Sequence, residues 1–124
     1  MQPLTSPFNT EDKLRPAQDF FFTKTTKNSY VRVDSNDLLY VQAAGSSVEI
    51  FTSQSKYILS ANLNSFCSQF PHPSLLRIHR SYVVNILKVL EIEDNYLILK
   101  ENAVPIGRSY REKVAAAFFR LQAD

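Results

Sequence analysis

From Phe20 to Leu59 the apolar residues come in short bursts separated by polar clusters. Tyr30-Val31-Arg32-Val33 and Val48-Glu49-Ile50-Phe51 alternate, as a strand with one buried face does. Phe20-Phe21-Phe22-Thr23 and Leu38-Leu39-Tyr40-Val41 are near-continuous runs, too short for helices and rich in strand formers. Lys27-Asn28-Ser29, Asp34-Ser35-Asn36-Asp37 and Ser53-Gln54-Ser55 punctuate them with residues whose short side chains bond to nearby backbone and favour turns. Ser55 to Leu59 is then predicted to return beside the 48–52 strand.

The period changes after Asn62. Leu63, Phe66, Cys67 and Phe70 fall at i, i+3, i+4 and i+7, one face of an amphipathic helix, and Pro71 and Pro73 end it. Cys67 lies on that stripe, which predicts a small core residue and not a reactive thiol. Strands follow again at Leu75–Ile78, Tyr82–Val84, Val89–Ile92 and Tyr96–Leu99, with Asp94-Asn95 as a tight turn between the last two. Ala103-Val104-Pro105-Ile106 is a final strand whose proline suits a sheet edge. Ser109-Tyr110-Arg111-Glu112 has the form of a capping box, and Val114, Ala117, Phe118 and Leu121 trace the buried stripe of a C-terminal helix. The expected fold is mainly β, with one internal short helix and one terminal helix.

Pro3, Pro7 and Pro16, with Asn9, Thr10, Glu11 and Asp12 between them, offer nothing periodic to bury. Residues 1–19 therefore read as a flexible tail or interdomain linker, and 20–124 as one domain. A chain of 124 residues with 44% hydrophobic and 21% charged content has the composition of a soluble globular protein. It has neither a run of about 20 apolar residues nor an apolar signal core, so a cytoplasmic location with no membrane partner is expected. With one cysteine and two histidines there is no disulfide, no thiolate metal cage, and no expected metal or other cofactor.

The net charge is +2, from 14 basic and 12 acidic residues, which excludes a protein that binds polyanions by bulk charge. The first 62 residues balance, six basic against six acidic, so the surplus lies in the second half. There the densest polar segment is Arg77-Ile78-His79-Arg80-Ser81, set between two apolar strands. A turn at 79–81 would project an arginine and a hydroxyl, and the two-pronged guanidinium suits guanine or phosphate. Read from composition alone, Arg77 and Arg80 are equally ordinary surface residues, with His79 hydrogen-bonded locally.

The two glycines mark two further bends. Glycine permits a positive φ or a close approach of backbone. Gly45 opens Gly45-Ser46-Ser47, and Gly107 opens Gly107-Arg108-Ser109 at the mouth of the C-terminal helix, whose free amides favour phosphate. Against this stands a purely structural use: Gly107 in the strand-to-helix turn, Ser109 as the helix cap. An enzyme is not expected. His79 and Ser81 lie two residues apart with no acid to orient the imidazole, and Cys67 is on a buried stripe.

Three segments, Leu39-Tyr40-Val41-Gln42-Ala43, Arg77 to Asn85, and Val104-Pro105-Ile106-Gly107-Arg108-Ser109-Tyr110, resemble in order and spacing the motifs of the LytTR family of bacterial DNA-binding domains. The middle segment, R-I-H-R-S-Y-V-V-N, carries most of the resemblance, which covers residues 20–121. It implies an elongated fold of three small antiparallel sheets, found at the C-terminus of response regulators of two-component systems. It also implies sequence-specific binding of double-stranded promoter DNA by a transcription regulator, with loops entering successive major grooves and bending the duplex. The implied contact positions are Gly45, Ser46 and Ser47; Arg77, His79, Arg80 and Ser81; and Arg108, Ser109, Tyr110 and Arg111. Arg80 would read a base, Arg77, Arg108 and Arg111 would hold phosphate, His79 would orient its loop or touch the DNA backbone, and Asn85 would tie a turn. Paired copies on direct repeats are a further implication.

Two features depart from the family. Gln42 stands where an acid is frequent, and residues 1–19 are too short for a receiver domain, which needs roughly 100 residues. The chain is thus expected to act alone or as part of a longer regulator with a receiver or sensor partner. The alternative reading is a β-rich module that accepts a partner peptide along an edge strand such as that of Pro105.

Overall fold

The structure, a computed structural model, describes residues 19–25 and 28–119. Of the tail expected at 1–19, residues 1–18 lie outside the described residues, as does Leu121 of the terminal stripe, while Asp19 is bonded to the domain through Ser35 and His72. Among the described residues three antiparallel sheets form. Strands β1 (Phe20–Lys24) and β2 (Tyr30–Asp34) make a two-stranded sheet. Strands β3 (Leu38–Ala44), β4 (Ser47–Thr52), β5 (Lys56–Leu59), β6 (Leu75–His79) and β7 (Tyr82–Asn85) make a five-stranded one in the order β5-β4-β3-β7-β6. Strands β8 (Glu91–Ile92), β9 (Tyr96–Leu99) and β10 (Asn102–Pro105) make the third, in the order β10-β9-β8. Helix α1 spans Leu63–Gln69 and helix α2 spans Arg111–Phe119. The expected mainly β class, with an internal and a terminal helix, is what forms.

The near-continuous run Leu38–Val41 belongs to the central strand β3, and both of its faces are covered. Leu38 and Val41 join Val48, Ile50 and Val83 under α1, whose Leu63, Phe66 and Phe70 complete that core. Leu39 and Tyr40 point into a second core with Ile78, Val84, Leu97, Leu99, Val104 and Val114, which brings the third sheet and α2 onto the opposite face. A register shift between Leu38 and Tyr40 turns the neighbours Leu39 and Tyr40 into the same core, with Leu38 and Val41 on the other side. A strand buried on both sides has no reason to alternate, which is why its sequence does not.

Asn62 caps α1, its Oδ1 accepting from the Ser65 amide at 2.7 Å. Cys67 is half-buried rather than fully enclosed, because Leu63, Phe66 and Phe70 take the centre of the stripe. Burial pushes its thiol up against the opposing pull of Arg77 and Lys113, which favours the protonated form. The strand expected at Val89–Ile92 shrinks to Glu91–Ile92 because Ile86–Lys88 form a 3-10 turn. Asp94-Asn95 links β8 to β9 as expected, closed by the Glu93 amide on the Tyr96 carbonyl at 2.8 Å. Pro105 sits in β10, at the sheet edge its missing N–H suits. The β9–β10 turn at Lys100-Glu101 had no sequence signal: Lys100 takes φ +56° without being glycine or asparagine.

Candidate nucleic-acid interface

Strands β6 and β7 pair Arg77 with Val83 and then His79 with Tyr82, so Ile78 is an extra residue and Arg80-Ser81 the two-residue connection. That bulge buries Ile78 completely and breaks the alternation, so the turn anticipated at 79–81 is present. Arg77 is half-buried and holds the turn from within. Its Nε donates to the His79 carbonyl at 2.9 Å, one terminal nitrogen to the Arg80 carbonyl at 2.6 Å, and the other to Asn64 Oδ1 at 2.9 Å. The Ser81 amide donates to His79 Nδ1 at 3.0 Å, which places the proton of a neutral imidazole on Nε2. The His79 ring meets Tyr82 edge-on, with centroids 5.3 Å apart.

The Gly45-Ser46 turn closes the β3–β4 hairpin between paired Ala44 and Ser47, with Gly45 at φ +63°. Gly45 and Ser46 are exposed, and Ser47 begins β4. Because β3 and β7 run antiparallel, this turn lies at the same end of the sheet as Arg80-Ser81; the Ala43 amide donates to the Ser81 carbonyl at 2.9 Å.

The third segment docks onto the second. Gly107 has an ordinary φ of −69°, so its glycine serves close approach and not a left-handed turn. A Cβ there would lie 3.1 Å from the Tyr110 ring and 3.4 Å from the His79 Cα. The Gly107 amide donates to the Ile78 carbonyl at 2.7 Å, at the bulge. Arg108–Tyr110 then form a 3-10 turn that runs into α2. The capping box expected at Ser109 and Glu112 does not form: Ser109 is inside that turn, Gly107 stands at the cap position, and among the described residues the Ser109 hydroxyl has no hydrogen-bond partner. His79, Arg80, Gly107, Arg108, Ser109 and Tyr110 together line one open cleft.

The two loops anticipated at 79–81 and 107–110 are therefore one site, and the Gly45 turn shares its end of the sheet. Arg80 and Arg108 are exposed, and among the described residues neither guanidinium has an internal partner. Arg111 is exposed but bonded to Asn95 Oδ1. Two exposed guanidiniums beside a free hydroxyl suit an anionic ligand carrying hydrogen-bond acceptors. No group of three or more His, Cys, Asp or Glu among the described residues could hold a metal ion. His72 lies elsewhere, on Asp19 and Ser74. Sequence reasoning missed Asn64, Tyr82 and Asn95, which touch the site's side chains from 13, 3 and 16 residues away. Only Tyr82, adjacent in the motif, carried any signal.

Residues 28–119 match the family model described as the LytTr DNA-binding domain. The transcriptional regulatory protein YpdB of Escherichia coli K12 is 35% identical over 81 residues, covering 60% of this chain and 33% of that protein. The sensory transduction protein LytR of Streptococcus agalactiae is 27% identical over 117 residues, 89% of this chain and 48% of that one. The chain thus spans a third to a half of the length of these relatives. In fold it is similar to the LytTr DNA-binding domain of a response regulator from Bacillus cereus, with a TM-score of 0.73 over 82% of this chain and 98% of that one at 21% identity.

Proposed function

The chain belongs to the LytTr DNA-binding domain family, and we propose that it binds a specific double-stranded DNA site through the sheet end that carries Gly45-Ser46-Ser47, His79-Arg80-Ser81 and Arg108 to Arg111. The observation that carries this is the junction of Gly107 with Ile78, which brings Arg80 and Arg108 to one cleft, both exposed and, among the described residues, without internal partners. Arg80, at the apex of a two-residue turn, is the base reader, and a guanidinium there would take the two acceptors of guanine. Arg108 and the Ser109 hydroxyl hold phosphate, with Arg111 beside them on Asn95. His79 shapes the loop by accepting the Ser81 amide. Entry into successive major grooves, a bent duplex and paired copies on direct repeats follow from the family resemblance. So does the joining of this domain to a receiver or sensor in a cytoplasmic regulator.

Selection of bound sequences from a random duplex pool, followed by polarisation titrations over a salt series, tests this. One enriched motif is expected, with an affinity that falls steeply as salt rises because each phosphate contact releases counterions. If no sequence were enriched over random duplex at any salt, the reading would be lost.

A further inference from the structure

We propose that Arg77 is a positioning residue that sets base discrimination without touching DNA. The inference rests on the reading that the Arg80-Ser81 turn meets the duplex. All three guanidinium nitrogens of Arg77 are engaged inside the protein. Two of them hold the carbonyls of His79 and Arg80, the backbone that carries the reading side chain, at 2.9 and 2.6 Å. The third ties that backbone to Asn64 Oδ1, on a helix fixed by its Asn62 cap and by the burial of Phe66. The fork makes the Arg80 turn part of the rigid body of the domain.

The consequence for recognition is specific. A two-pronged contact with guanine needs the reading guanidinium in one plane and at one depth. A turn that wobbles can still find phosphate, since charge attraction tolerates displacement, but it loses the in-plane geometry. Lysine retains the charge of Arg77 and cannot reproduce its three-way fork. A phosphate ligand and a positioning residue therefore respond oppositely to Arg77→Lys.

Polarisation titrations would compare wild type, Arg77→Lys, Asn64→Ala and Arg77→Ala on the duplex selected by the wild type, on its single-base variants, and on random duplex, each over a salt series. Arg77→Lys is expected to weaken the selected duplex about tenfold, the size of one lost bidentate base contact. Its binding to random duplex and its salt slope should stay at the wild-type values. Asn64→Ala, with an exposed side chain and no charge change, should move the same way by about threefold, within the usual range for one hydrogen bond. In an Arg80→Ala background, Arg77→Lys should add nothing. Thermal melts establish that each variant is folded at the assay temperature; if Arg77→Lys is not, the Asn64→Ala result decides. The proposal is overturned if Arg77→Lys discriminates as wild type does, if Asn64→Ala leaves discrimination unchanged, or if Arg77→Ala weakens all duplexes alike with a salt slope lower by about one. A wild type that prefers no duplex would overturn the DNA reading itself.

Discussion

Where β7 runs out into Ile86, Asn85 is 1% exposed and fully engaged. Its Nδ2 donates to the carbonyls of Ser35 and Leu38, both at 2.9 Å, and its Oδ1 accepts the Leu87 amide at 3.0 Å. Around it Ser53 bonds to Asp37, and Lys100 donates to the Ser53 carbonyl at 2.7 Å. Beyond the other end of the same strand, five residues before Asn85, Arg80 stands in solvent, and so does Arg108 of the adjoining 3-10 turn, neither with an internal partner among the described residues. The polar atoms of Asn85 complete backbone that would otherwise be orphaned, and removing them leaves buried donors or acceptors unpaired. Those of the second end complete nothing in the protein, so they are available to something outside it. One end is scaffold and the other is the proposed contact surface, and a single four-residue strand joins them.

The sharpest way to break this contrast is at Asn85. Asn85→Ala removes three hydrogen bonds at a buried site and should cost about 2–4 kcal/mol of stability. For a domain of this size that is roughly 10–20 °C in Tm. Chemical denaturation and a thermal melt would measure it, and DNA affinity at a temperature where the variant is folded should match wild type. A loss below about 1 kcal/mol would mean that water replaces the amide, and that this end is not the scaffold.

Arg80→Ala is the mirror experiment. It should leave stability within about 0.5 kcal/mol of wild type, as surface changes do, and cost about 1–3 kcal/mol of affinity for the selected duplex. Scored against single-base variants of that duplex, the loss should fall at one base position. A uniform loss over all sequences would reassign Arg80 to phosphate and leave the base to another group.

The same contrast explains what the sequence disclosed. The strands and the Asn62–Phe70 helix were legible because they answer to local period, and the Leu38–Val41 run because two-sided burial leaves a strand uniformly apolar. The proposed contact loops drew notice as polar clusters and glycine bends between apolar strands, and the family resemblance joined them; their residues alone equally suited an ordinary surface. The internal uses of polar groups were not legible. Arg77 looked like a surface cation, and only the structure joins it to Asn64 and to the two carbonyls of the turn. Ser109 looked like a helix cap because the spacing to Glu112 suits one, but the 3-10 turn from Arg108 moves the cap position to Gly107. Gly107 itself was marked correctly as special, though for closeness to His79 and not for its φ. Long-range pairing leaves no periodic trace, so roles that depend on it have to be seen.

Gly45 offers the smallest effect and the finest test of which end meets the duplex. Its φ of +63° disfavours a Cβ, so Gly45→Ala should cost about 1 kcal/mol of stability, and Gly45→Asn only a few tenths, because asparagine tolerates the left-handed region. A Cβ at Gly45 meets nothing within 4 Å in the protein itself. Any affinity lost beyond the stability change must therefore come from the duplex, whether by direct collision or by a displaced Ser46. Both variants should weaken the selected duplex by a few-fold, with Asn no milder than Ala because its side chain is longer. If affinity instead tracks stability, with Ala worse than Asn, the turn is a hairpin closure only, and the contact surface narrows to the Arg80–Arg108 cleft.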